Sequence, residues 1–124
     1  MSQKKTHQVP ITSITATQLK EKIDSLPDLI IINVLDQETY IDCHIAGSIN
    51  VAYDQLIENM ASWDKDKEIV LYCAQSSCPK SKVAFDLLAD LGFTHLSDYS
   101  GGMREWLKKG FPTTGACTMK YLHE

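Results

Sequence analysis

The chain predicts an α/β fold: a single domain with a central, mainly parallel sheet flanked by helices. Three observations predict it. Apolar strand-like runs alternate with helical patterns along the chain. The run Leu29-Ile30-Ile31-Ile32-Asn33-Val34 is nearly unbroken and β-branched, as in a strand covered on both faces. No hairpin signal such as Asn-Gly joins one strand to the next. A length of 124 residues suits one domain whose core needs neither disulfide nor metal.

Each element has its own signal. Met1 to Pro10 is polar, with two lysines and no apolar stretch behind them, and so lacks the form of a secretory signal. A flexible segment is expected over 1–12, the domain over 13–113 and a tail over 114–124. Thr15 followed by Gln18 forms a capping-box pattern, and Leu19, Ile23 and Leu26 recur at helical spacing, predicting a helix from Ala16 to Ser25. Pro27 and Asp28 end it before the first buried strand. A short helix is expected around Gln37–Tyr40 and a turn near Gly47. A further helix is predicted over Tyr53–Met60, because Tyr53, Leu56, Ile57 and Met60 share a face. After the charged turn Asp64-Lys65-Asp66-Lys67, Glu68 to Cys73 reads as a second buried strand. Pro79 suits a helix start, Val83, Phe85, Leu87, Leu88 and Leu91 supply an apolar side, and Gly92 is placed to end that helix. Phe93–Tyr99 predicts a shorter strand, Gly101-Gly102 a tight loop, and Met103–Lys109 a last amphipathic helix stopped by Gly110 and Pro112. From Thr113 to Glu124 no element is assigned. Burial is expected for Ile31, Val34, Val70, Leu71, Phe85 and Leu88.

Composition excludes several classes of function. With 44% hydrophobic and 23% charged residues the chain has an ordinary globular balance. The 12 basic against 16 acidic residues leave a net charge of −4, and the lysines form no single basic run, so nucleic acid is not an expected partner. No apolar stretch approaches the roughly 20 residues that a bilayer requires, so no membrane association is expected. Four cysteines without a signal segment point to a reducing, cytoplasmic compartment, with thiols used for chemistry or packing.

In open α/β sheets ligands bind outside the carboxyl ends of the strands, where loops lead into helix N-termini. Cys73 occupies such a place. It ends the strand Ile69-Val70-Leu71-Tyr72 and opens the loop Ala74-Gln75-Ser76-Ser77-Cys78-Pro79-Lys80-Ser81. Backbone N–H groups of that loop and the positive end of the next helix would favour a thiolate and make Cys73 a nucleophile. The alternative is a buried core thiol. Cys78 is open to three roles: bystander, resolving partner for Cys73, or rival nucleophile. Cys43 and Cys117 are expected to be inert. Lys80 and Lys82 either steer an anionic donor or are solvated helix residues. No metal is expected, since Cys43, His44, Cys73 and Cys78 lack the paired Cys-x-x-Cys knuckles of a structural zinc site.

From Thr15 to Thr113 the chain resembles the rhodanese domain family. Four segments carry the resemblance in order: Ile32-Asn33-Val34-Leu35 through Tyr40; His44-Ile45-Ala46-Gly47-Ser48-Ile49-Asn50; Val70-Leu71-Tyr72-Cys73; and Leu91-Gly92-Phe93 through Gly101-Gly102 to Trp106 and Gly110-Phe111-Pro112. The resemblance implies a rhodanese-like fold and a sulfurtransferase or sulfur carrier without a cofactor. Cys73 would take sulfane sulfur from a small anionic, thiosulfate-like donor, hold it as a persulfide and pass it to a thiol or protein acceptor. Asn33, His44, Gly101 and Gly102 would support the site, with His44 making a turn-stabilising hydrogen bond.

The chain departs from the family pattern at several positions. Asn33 and Leu35 stand where family members usually have an aspartate and an arginine, so an ion-pair support is expected to be missing. Cys43 replaces a glycine, which would crowd a turn needing unusual dihedrals. The loop carries no arginine about five residues after the nucleophile, is about two residues longer than in short-loop members, and contains Cys78. The missing guanidinium opposes a cysteine phosphatase or arsenate reductase. A non-catalytic binding or thiol-redox module using Cys73 and Cys78 is the remaining alternative.

Overall fold

The structure, a computed structural model, describes residues 10–124; most of the segment expected to be flexible lies outside the described residues. Among the described residues, seven strands and five α-helices follow one another as β1 (Ser13–Ile14), α1 (Ala16–Ser25), β2 (Ile30–Asn33), α2 (Gln37–Asp42), β3 (His44–Ile45), β4 (Ile49–Asn50), α3 (Leu56–Met60), β5 (Ile69–Tyr72), α4 (Lys80–Leu91), β6 (Leu96–Tyr99), α5 (Gly102–Lys108) and β7 (Thr113–Thr114). The main sheet is ordered β1-β6-β5-β2-β4, and all its pairings are parallel. The alternation of strands and helices thus gives the expected architecture, with β5 at the centre of the sheet.

Period-two alternation sorts the strand residues between two layers. Ile32, Leu71 and Cys73 share one apolar cluster with Leu56 and Met60 of α3 and Phe85 and Leu88 of α4. Ile31, Val70, Tyr72 and Tyr99 share the other with Leu19 of α1 and Met103 and Trp106 of α5. All six residues expected to be buried are buried. The capping box at α1 is closed in both directions, Gln18 N–H to Thr15 Oγ1 at 3.1 Å and Thr15 N–H to Gln18 Oε1 at 2.8 Å. Gly92 ends α4 at φ +107°, a left-handed cap at the expected position.

Several expectations are corrected. Val83 and Ile57 are 43% and 49% exposed. In α4 the sheet-facing stripe is Ala84, Phe85 and Leu88, which turns Val83 outward. Tyr53–Gln55 form a 3-10 turn ahead of α3, and its tighter winding breaks the single helical phase read over 53–60. Cys43 adopts an ordinary extended backbone at φ −161°, so its side chain crowds no turn.

The segment after Trp106 is folded back onto the domain. β7 pairs antiparallel with β3, a two-stranded sheet the sequence did not announce. Trp106 Nε1 donates to the Pro112 carbonyl at 2.8 Å. Leu122, in a 3-10 turn over Lys120–His123, is buried beside Trp106 and Met103. Cys117 lies next to Cys43 and the two form a disulfide across 74 positions of sequence. The expectation of four free thiols is therefore wrong; the β3–β7 pairing, which no local pattern encodes, brings this pair together.

Candidate functional site

Cys73 follows directly on β5, the middle strand, and its sulfur points into the layer shared with α4. Only 2% of the residue is exposed. Two anchors fix the backbone here. Met103 N–H donates to the Cys73 carbonyl at 2.8 Å and Arg104 N–H to the Ala74 carbonyl at 2.9 Å, so the first turn of α5 holds the start of the loop. Gly102 makes that approach feasible: its φ is +78°, and a Cβ there would lie 2.5 Å from Gln75 N and 2.7 Å from the Ala74 carbonyl carbon. Gly101 is likewise crowded by Tyr99 and Glu105.

On the other layer, Tyr72 ties the end of β5 to the turn after β3. Ile45 N–H donates to the Tyr72 hydroxyl at 3.0 Å, that hydroxyl lies 2.9 Å from Ser48 Oγ, and Ser48 Oγ donates to the Ile45 carbonyl at 2.7 Å. Burial pushes the Tyr72 phenol up to about 12, so it remains a neutral link in this ring. Asn33, fully buried, accepts from Leu35 N–H at 2.9 Å, and Asn50 Nδ2 donates to the Asn33 and Leu35 carbonyls at 3.0 and 2.8 Å. His44 donates from Nδ1 to the Tyr40 carbonyl at 2.8 Å and stacks on the Tyr40 ring with centroids 3.9 Å apart.

The loop beyond Cys73 turns back on itself. Cys78 N–H donates to the Gln75 carbonyl at 3.0 Å, with Ser76 and Ser77 exposed at the tip. The Cys73 thiol donates to the Cys78 carbonyl at 3.4 Å and lies 3.6 Å from Ser81 Oγ in the first turn of α4. Burial foremost, and then a hydrogen bond with the Cys78 side chain, push the thiol up to about 11, while the Ser81 hydroxyl and N–H favour the thiolate. Of the expected N–H cradle, the Cys78 N–H is spent on the turn. Cys73 and Cys78 are the free cysteines. Lys80 places its ammonium over the Tyr53 ring, 5.3 Å from the centroid. Lys82 pairs with the buried Asp98 carboxylate at 3.2 Å. Among the described residues, no three His, Cys, Asp or Glu side chains converge as metal ligands, and no helix is long and apolar enough to cross a membrane.

Sequence reasoning missed a basic concavity beside the loop. It measures about 360 Å³ and is lined by Ser76, Gly101, Arg104, Glu105, Lys108 and Lys109. The signal was the spacing of Arg104 behind Gly102, which puts a guanidinium on the helix turn that clamps the loop.

Comparison with known proteins bears on this arrangement. The family model described as Rhodanese-like domain matches residues 15–109. Thiosulfate sulfurtransferase GlpE of Coxiella burnetii is 30% identical over 89 residues, covering 72% of this chain and 80% of that protein. Dual specificity phosphatase Cdc25 of Arabidopsis thaliana is 32% identical over 113 residues, covering 82% of this chain and 77% of that protein. HTH-type transcriptional regulator Rv0324 of Mycobacterium tuberculosis is 28% identical over 103 residues; the match covers 83% of this chain but only 45% of the regulator. Among solved structures, the Rhodanese-like domain of the Alr3790 protein from Anabaena sp. superposes with a TM-score of 0.77 at 29% identity, covering 90% of this chain and 84% of that one.

Proposed function

The chain belongs to the rhodanese-like domain family, and from that premise we propose that it is a sulfurtransferase or sulfur carrier with Cys73 as its nucleophile. The observation that carries this reading is the Cys73 sulfur itself, fixed at the end of the central strand and faced by Ser81 at the start of α4. Ionised Cys73 attacks the outer sulfur of a thiosulfate-like donor. The donor's S–S bond breaks, sulfite leaves with the bonding pair, and the outer sulfur remains on Cys73 as a persulfide. A nucleophilic thiol then takes that sulfur and returns Cys73 to the thiolate. Arg104, Lys108 and Lys109 beside Ser76 add positive charge at the outer rim of the loop, partly spent on Glu124, which lies 4.0 Å from Arg104 and whose carbonyl accepts from Lys108 at 2.7 Å; this charge steers an anionic donor toward the loop. The partners proposed are a small anionic sulfur donor and a thiol or protein acceptor; the Cys43–Cys117 disulfide removes the free-thiol argument for a reducing, cytoplasmic setting.

A phosphatase reading, suggested by the Arabidopsis relative, requires a guanidinium within the loop to grip a phosphoryl group. The loop's cation is Lys80, which sits over Tyr53, so the sulfur-transfer reading is preferred. It is tested by thiocyanate formation from thiosulfate and cyanide. With cyanide in large excess, so that it takes the outer sulfur ahead of any thiol, wild-type protein is expected to turn over and Cys73→Ser to lose activity to background. Equal turnover by both would reject Cys73 as the nucleophile.

A further inference from the structure

The loop that carries Cys73 carries a second free thiol, and the turn places it against the first. The Gln75–Cys78 turn folds the chain back, so the Cys73 sulfur rests 3.4 Å from the carbonyl of Cys78 itself. The Cys78 side chain packs on the apolar cluster to which Cys73 belongs. The other two cysteines are joined to each other at the far end of α2, leaving Cys78 as the free protein thiol available to a group on Cys73. Cys73 is almost completely enclosed, whereas Cys78 is half-buried and open to an external reductant.

We infer that Cys78 is a resolving thiol, which discharges the Cys73 persulfide by forming a Cys73–Cys78 disulfide and releasing sulfide. This rests on the sulfur-transfer reading above. The Cys78 thiolate attacks the inner sulfur, Cys73 Sγ. A Cys78–Cys73 S–S bond forms, the bond from Cys73 Sγ to the outer sulfur breaks, and the outer sulfur leaves with the electron pair as HS⁻. The sulfane sulfur is reduced by two electrons, and the two thiols are oxidised to one disulfide. A dithiol reductant then returns both cysteines to thiols by disulfide exchange, becoming a disulfide itself. In this branch the outer sulfur accepts two electrons from the thiols of the loop, and the product is free sulfide rather than a transferred persulfide. Exchange is fastest between thiols held side by side, and an exposed loop tip at Ser76 and Ser77 leaves room for the small closure it needs.

The test uses thiosulfate as donor with the full chain and no added thiol, following sulfide release and mapping the products by mass spectrometry. Wild-type protein is expected to release one sulfide per chain and to end with a Cys73–Cys78 disulfide alongside the Cys43–Cys117 one. Cys78→Ser should release none and keep one extra sulfur on Cys73. Adding a dithiol should convert the wild type from a single event to repeated release. A stable persulfide in wild-type protein, with no Cys73–Cys78 link, would overturn the resolving role while leaving sulfur transfer intact. Failure of both wild type and Cys78→Ser to take up sulfur would overturn the sulfur-transfer reading, and the resolving role with it. A Cys78→Ala variant, which removes the thiol without adding a hydroxyl, should match Cys78→Ser.

Discussion

Cys73 is kept as a thiol by the burial that fixes its position. With its pKa pushed up to about 11, chiefly by burial, the thiol is the predominant form at pH 7. The thiolate is the reacting form, so lowering the pH removes reactivity and raising it restores reactivity all the way to the shifted pKa. Alkylation of Cys73 by iodoacetamide, resolved from Cys78 by fragment-ion mass spectrometry, should therefore accelerate about tenfold per pH unit from about 7 to 10. A plateau setting in near pH 9 would mean that the thiol ionises as an ordinary one, with a pKa of about 8.5. The sequence made Cys73 legible as a strand-end thiol because an apolar run stops at a polar loop. It did not make the thiol's protonation state legible. That depends on how deeply the sulfur sinks between β5 and α4 and on the Cys78 side chain beside it, neither of which a spacing rule contains.

The helices and long strands were readable because their apolar residues repeat. α1 starts and ends where the capping box and Pro27 place it, and α4 stops at Gly92. The two-residue strands β3 and β7 have no period to read, and the 3-10 turn at Tyr53–Gln55 shifts the phase of the helix behind it. At this scale the contact that matters most is that of α5 with the loop, through Met103 and Arg104 N–H groups and the missing Cβ of Gly102. Gly102→Ala should lower stability by about 2–4 kcal/mol, from left-handed backbone strain and the forced separation of α5 from Ala74 and Gln75. Urea unfolding measures it. Under urea concentrations where the variant remains folded, sulfur uptake should also fall, because the loop start has lost its clamp. A variant as stable and active as wild type would show that the close approach is relaxed in solution.

Across the whole molecule, the C-terminal segment is part of the folded body. Asp42 accepts hydrogen bonds from Thr118 N–H, Thr118 Oγ1 and Met119 N–H at 2.7–3.1 Å, beside the Cys43–Cys117 disulfide. None of this was legible, since the partners lie more than 70 positions apart in sequence. Cys117→Ser should cost about 2–4 kcal/mol, chiefly by freeing the unfolded chain. Thermal unfolding with and without reductant checks it: reductant should lower the midpoint of wild type and leave the variant unmoved. That the protein carries sulfur on Cys73 is tested by its intact mass after incubation with thiosulfate. The prediction is that Cys78→Ser protein gains the mass of one sulfur atom, lost again on reduction, and that Cys73→Ser gains nothing; a sulfur adduct on Cys73→Ser with none on Cys78→Ser would contradict it.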